Sequence, residues 1–271
     1  MISKHVVGLA VIALGLAASA GCDGGHRGQA QTGCSPATLK GHYIFAYDGF
    51  NVSGPNAADR LPFANAGHET YNGDGTVSGF STTNTNGVVT AAAYAGTYTL
   101  ESDCSGTTTL TDENDVTTHY AIAVQQNGLV VGYVGTDPNV VTAGYESRRS
   151  GSQGACNADV LRGTYIYAND GFATGGGTSI QRSPFAQAGV EVYDGDGTMS
   201  GSVTANSNGT VNRVSYDGTY TIDDGCAGEI TSAGAGQEPF HFAIYVDPSG
   251  DEFAWVRVDA DVVNAGYEHR Q

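Results

Sequence analysis

The sequence predicts an all-β protein built as two tandem antiparallel calycin-like β-barrels of about eight strands each. Three observations carry that expectation. The first is composition: forty glycines and fifteen tyrosines stand beside only two methionines and one tryptophan. Thr, Val, Tyr, Gly and Asn dominate, which is strand-and-turn chemistry. The second is a repeat. Residues 34–148 and 156–270 align without a gap at a constant offset of 122, and 51 of those 115 positions are identical. Two copies make a domain duplication rather than a solenoid. The third is strict alternation broken by turn signals at intervals of about 8–12 residues, with no amphipathic helical stretch.

Taken in order, residues 1–22 read as a processing segment. Lys4 supplies a positive start, and residues 6–18 form an apolar run too short to stay in a membrane as a spanning helix. The run ends in Ala18-Ser19-Ala20-Gly21-Cys22, which resembles a bacterial lipobox with Cys22 as the lipidated residue. Ser19 departs from the usual leucine-like residue, and cleavage after Ala20 to give a secreted protein is the competing reading. Residues 23–33 are a polar, glycine-rich tether, and residues 149–155 form a short linker between a first domain (34–148) and a second (156–271).

The cysteines fit an exported chain. Cys34 and Cys104 lie 70 apart, as do Cys156 and Cys226, so each module is expected to hold one disulfide. Each would contribute on the order of 4 kcal/mol by restricting the unfolded chain. Cys22 is left over, as a lipid-attachment residue should be. None of the five sits in a paired C-x-x-C cluster, so no metal site is expected. The net charge of −17, with Lys4 and Lys40 the only lysines, repels phosphate backbones and anionic headgroups. Nucleic acid is excluded as a partner, membrane contact is expected through the lipid anchor alone, and protein partners are not indicated.

Within the first module, strands are expected over 41–47, through 69–71, and over 76–83, 88–100 with a break near Gly96, 106–111, 117–125, 129–136 and 140–148. A loop is expected over 48–61. Asn72-Gly73-Asp74-Gly75, and Asp194-Gly195-Asp196-Gly197 in the second copy, look like calcium loops. The sixth and twelfth positions of the second hold Met199 and Ala205, where an EF-hand needs glycine and a carboxylate, so both are expected to be hairpin turns.

The succession Leu-x-Gly-x-Tyr, Pro-Phe-Ala-x-Ala-Gly, Tyr-x-Gly-Asp-Gly-Thr-x-Ser-Gly, Gly-Thr-Tyr-Thr and a closing Ala-Gly-Tyr-Glu-x-Arg resembles secreted bacterial proteins of the allene oxide cyclase barrel-like, calycin-type superfamily. The resemblance spans each module nearly end to end. It implies a barrel that binds a small apolar molecule or catalyses isomerisation or cyclisation without a cofactor. Its motifs are structural glycines and strand residues, so it assigns no catalytic residue.

The residues themselves offer candidates. Glu69 and Glu191 share a strand face with Tyr71 and Tyr193. If that aromatic face lines the lumen, each carboxyl is desolvated and fit to act as acid or base. If the opposite face of Ala64, Ala66, Ala186 and Ala188 is the core, the glutamates are solvated. Tyr43, Tyr71, Tyr165 and Tyr193 are candidates for stacking on a flat or apolar ligand. His119 and His241 recur at one position and suit ligand contact or general-base work. Glu146 and Glu268, two residues from Arg148 and Arg270, read as halves of surface ion pairs. The expected function is an envelope-anchored, non-catalytic binding or scaffold protein for a small apolar or aromatic ligand. The alternatives are a cofactor-independent isomerase or cyclase and a structural surface protein.

Overall fold

The computed structural model describes residues 33–56, 59–150, 156–175 and 182–271, and contains two closed antiparallel barrels in tandem. The expected processing segment with Cys22, and residues 151–155 of the linker, lie outside the described residues. In the first barrel the strands are β1 (Lys40–Val52), β2 (Arg60–Asn72), β3 (Thr76–Thr85), β4 (Val88–Leu100), β5 (Ser105–Asp112), β6 (Thr117–Val124), β7 (Val130–Gly135) and β8 (Val140–Arg148). They pair in chain order, and β8 returns to β1. The second barrel repeats the plan with β9 (Arg162–Ala173), β10 (Ser183–Asp194), β11 (Thr198–Ser207), β12 (Thr210–Ile222), β13 (Ala227–Gly234), β14 (Phe240–Val246) and β15 (Glu252–Arg257). Its last strand is interrupted at Asn264, giving β16 (Val262–Val263) and β17 (Ala265–Arg270).

Two local expectations are corrected. The strand over Val88–Leu100 runs unbroken through Gly96. A Cβ there would lie 1.9 Å from the Thr109 carbonyl oxygen, so the glycine marks a close approach of β5, not a strand end. The loop expected over 48–61 is shorter, because β1 and β2 stay paired as far as Val52 and Arg60.

One end of each barrel is plugged. In the first, a 3-10 turn (Pro36–Thr38) lies under the lumen, and the Tyr98 hydroxyl shares its proton between the carbonyls of Pro36 (2.8 Å) and Leu39 (2.9 Å). Tyr71 packs edge-on between Tyr43 and Tyr98, with ring centroids 5.1 Å from each. The Tyr43 hydroxyl donates to the Gly128 carbonyl at 2.6 Å. Gly128 has φ +67°, and a Cβ would stand 2.2 Å from the Thr38 carbonyl, so only glycine fits. The Cys34–Cys104 disulfide, Cα atoms 5.0 Å apart, ties the incoming chain to the β4–β5 turn at this end. Cys156–Cys226, Tyr165, Tyr220 and Gly250 repeat the arrangement. Two disulfides at matched positions suit an oxidising, extracytoplasmic location.

The barrels pack through different faces. From the first barrel come the outward residues of β1 and β2: Ile44, Ala46, Ala64 and Ala66. They meet Tyr245, Ala254, Val256 and Val263 on the outside of the second. The small alanines let the sheets approach, and β2 is thereby buried on both sides. Tyr267 puts its hydroxyl between β1 and β8 of the first barrel, accepting from the Ala46 amide at 3.0 Å and donating to the Tyr145 carbonyl at 2.6 Å. The Asn84 amide shares its two protons among the carbonyls of Arg257, Asp259 and Val262 at 2.9–3.0 Å. Its counterpart Asn206 is exposed and only caps its own turn, accepting from the Gly209 amide.

This asymmetry is testable. In dilute protein, Asn84→Ala should lower unfolding free energy by about 1–3 kcal/mol, because buried and part-buried carbonyls lose their donor. The chemically identical Asn206→Ala should cost less than about 1 kcal/mol. Urea denaturation of the two variants, compared with wild type, measures both.

Candidate functional site

In an antiparallel barrel every second side chain points inward, and on β2 that set is Phe63, Asn65, Gly67, Glu69 and Tyr71. Residues of these strands line a cavity of about 270 Å³ in the first barrel. Its inner end is made by Glu69, Tyr71, Tyr133 and Glu146. Its outer end reaches Thr90 and Val116, which are solvent-exposed, so the cavity opens at the end opposite the plug. Phe45, Tyr47, Phe63, Tyr94 and Tyr120 give the middle an aromatic wall, and threonines form a hydroxyl collar above it.

The aromatic face of β2 is thus the luminal one, and Glu69 is 4 % exposed. The alanine face is buried too, against the other barrel rather than in a core of its own. Glu146, expected in a surface ion pair with Arg148, is instead buried at 5 % exposure beside Glu69. Glu268 is likewise buried beside Glu191, while Arg270 pairs with Asp251. Arg148 and Arg270, the nearest cations along the strand, do not hold these glutamates at the surface. Alternation from Val140 already places Glu146 inward.

Each barrel therefore holds two carboxyls among tyrosine hydroxyls. In the first, the Tyr94 hydroxyl donates to Glu69 Oε1 at 2.7 Å. The Tyr71 hydroxyl lies 3.4 Å from Glu146 Oε1 and also faces Glu69. Glu69 Oε2 and Glu146 Oε2 are buried without a hydrogen-bond partner. Burial raises the Glu69 pKa to about 7, against smaller opposing effects of Tyr94 and Tyr71. Burial, then repulsion from Glu69, drives Glu146 well above the usual carboxylate range. Both carboxyls of this floor are therefore harder to ionise than an exposed glutamate. In the second barrel Glu191 is satisfied more fully, accepting from Tyr193 at 2.5 Å and Tyr216 at 2.6 Å. Burial raises Glu268 well above the carboxylate range, and repulsion and hydrogen bonding from Glu191 push it the same way.

The other candidates divide. Tyr71 lines the cavity, whereas Tyr43 lies beneath it in the plug, fully buried. Tyr165 and Tyr193 occupy the same levels of the second barrel and pack edge-on at 5.2 Å. His119 and His241 are not brought to the lumen. Thr118, Tyr120 and Ile122 of β6 point inward, so His119 points out, and its Nδ1 pairs with Asp137 at 2.8 Å. His241 makes the same contact with Asp259. Asp74 and Asp194 cap their own hairpins, accepting from the Thr76 and Thr198 amides. Among the described residues no three or more His, Cys, Asp or Glu side chains are grouped to hold a metal ion.

The barrels differ inside. Tyr133 becomes Trp255, Thr108 becomes Ile230 and Ser81 becomes Val203, all packed in the second barrel's core. Tyr167, in place of Phe45, reaches across to the Tyr216 hydroxyl at 2.9 Å.

No protein-family model matches the chain, and no curated protein matches it. Among solved structures, a protein of unknown function from the DUF3598 family of Nostoc punctiforme aligns over 86 % of this chain and 97 % of its own. The identity is 12 % and the TM-score 0.24.

The carboxyls set a pH dependence of stability. Their folded pKa values lie above the unfolded value, so the folded state holds protons that the unfolded state releases. Stability is therefore highest near and below pH 4.5 on this account and falls as pH rises through 7. The loss from Glu69 alone is on the order of 3 kcal/mol. Thermal unfolding of Glu69→Gln/Glu146→Gln should show that decline flattened between pH 5 and 8, with the variant the more stable protein at pH 8.

Proposed function

We propose that the chain is a non-catalytic binding protein of the cell envelope that takes a small, flat, largely apolar ligand into the first barrel. The observation that carries the reading is the open 270 Å³ cavity, aromatic in its walls and floored by buried carboxyls. Its size lies just under the ~300–1,000 Å³ usual for small-molecule sites. A protonated carboxyl is a donor as well as an acceptor, so the floor suits a neutral hydroxyl or carbonyl at the ligand's tip. An anionic ligand is disfavoured by Glu69 and by the acidic chain. Cys22 would carry the lipid that keeps the protein at the envelope, in line with the lipobox-like sequence.

A second reading rests on Glu69. A carboxyl titrating near 7, with one oxygen unpartnered at the cavity, is suited to moving a proton. That fits the cofactor-independent isomerase or cyclase implied by the sequence resemblance.

A neutral naphthylamine fluorophore tests the site. We expect saturable fluorescence enhancement by the wild-type protein, weakened at least tenfold by Thr108→Ile/Tyr133→Trp, which imports the second barrel's filling residues. Thermal stability should stay equal or rise. Enhancement unchanged in that variant would remove the first barrel as the site. Glu69→Gln should leave binding of the neutral dye within about threefold, whereas under the second reading it abolishes conversion of a substrate.

A further inference from the structure

The interface between the barrels is built from one face of each, and the duplication supplies both faces twice. The β1–β2 face of the first barrel meets the β14–β15–β17 face of the second. Their counterparts, the β9–β10 face of the second barrel and the β6–β8 face of the first, are unused. Ile44, Ala46, Ala64, Ala66, Thr82 and Asn84 are repeated identically as Ile166, Ala168, Ala186, Ala188, Thr204 and Asn206. The first set is 0–7 % exposed. In the second, Ile166 is 43 % exposed and all the others are exposed as well. On the complementary face Val256, Val263 and Tyr267 recur as Val134, Val141 and Tyr145, exposed by 47–66 %.

From this we infer that a second copy of the chain docks head to tail, its first barrel's β6–β8 face seated on this chain's β9–β10 face as the two barrels of one chain already sit. Where the duplicates differ, they differ together. His68 packs on Tyr245 in the internal joint at 5.7 Å. The corresponding residues of the external joint are Val190 and Ala123, a bulky polar-edged pair replaced by a smaller apolar one. Thr70 becomes Val192, 47 % exposed, which makes the free face more apolar than the used one.

The backbone around Ala168 is less committed than that around Ala46, where the β1–β8 ladder runs on through Ala46 opposite Tyr145. Tyr267 enters the first barrel between β1 and β8, at the Ala46 amide and the Tyr145 carbonyl. In the second barrel the ladder to β9 runs through Tyr167 opposite Glu268, then resumes only at Phe172 opposite Val263. The gap falls at Ala168, the counterpart of Ala46. Tyr145 of the arriving copy is the counterpart of Tyr267 and meets that gap. Asn206 likewise meets the carbonyls of Gly135, Asp137 and Val140, which need no particular side chain. Such a joint is heterologous, so it closes into a ring if its rotation allows and otherwise propagates as a filament. The charge of −17 opposes it, so salt should strengthen it.

Sedimentation velocity on the full chain, at 5 to 200 μM in 150 and 500 mM NaCl, tests this. Wild type should associate with rising concentration, more so at high salt. Ile166→Asp, on one face, and Val134→Asp/Tyr145→Ala, on the other, should each sediment as monomers with unchanged circular dichroism. Mixed together they should form a 1:1 complex, because each retains the face that the other lacks. Val192→Lys replaces Ile166→Asp if that variant fails to fold. A wild type that stays monomeric throughout, association that survives both sets of substitutions, or mixed variants that remain monomeric would each overturn the inference.

Discussion

Closing eight strands on themselves gives every alternate side chain one shared interior, and the pairing register decides which set that is. Here the register sends the aromatic face inward, and with it a glutamate on β2 and another on β8. Two buried carboxyls in one lumen cannot both ionise cheaply. The tyrosines that share the lumen supply hydroxyls rather than cations, so no cation offsets burial and both carboxyls are raised above the usual range. The raised pKa values and the polar floor of the cavity follow from that placement. A one-residue slip of β2 would put Glu69 against the other barrel and Ala66 in the lumen.

The duplication then lets one plan serve two states. The second barrel keeps the glutamate pair, the plug and the disulfide, yet fills its interior with Trp255, Ile230 and Val203, and gives Glu191 two tyrosine donors. The first leaves Glu69 Oε2 and Glu146 Oε2 unpartnered beside an open space, whereas in the second only Glu268 Oε2 of the pair is unpartnered. A buried polar atom without a partner costs free energy, and a ligand donor there would relieve the cost. The outer faces diverge in the same fashion, one copy of each used within the chain and the other left exposed.

Much of the fold was legible in the sequence. The constant offset of 122 and the matched cysteine spacings gave tandem modules and both disulfide pairs, because neither depends on long-range packing. Hairpin turns at Asn72-Gly-Asp-Gly and Asn84 to Gly87 were readable from their glycines. The candidate site was only half legible. Alternation put Glu69 and Tyr71 on one face but could not say which face was luminal, since both faces of β2 are apolar. The second face is apolar because another barrel covers it, and no period in β2 itself reports that. For Glu146 the inward phase of β8 decides its place, not the Arg148 side chain two residues away. His119 was judged by its recurrence, although its partner Asp137 recurs equally as Asp259.

Glu69 and Glu146 form a buried carboxyl pair, raised above the usual carboxylate range, at the floor of the first barrel's cavity. A carbon-13 NMR titration of the glutamate side-chain carboxyls, with assignment by Glu69→Gln and Glu146→Gln, tests it directly. The Glu69 signal is expected to titrate near pH 7 and that of Glu146 well above the usual carboxylate range, with both moving when the neutral dye is added. Signals for both that titrate near 4.5 and ignore the dye would contradict the account.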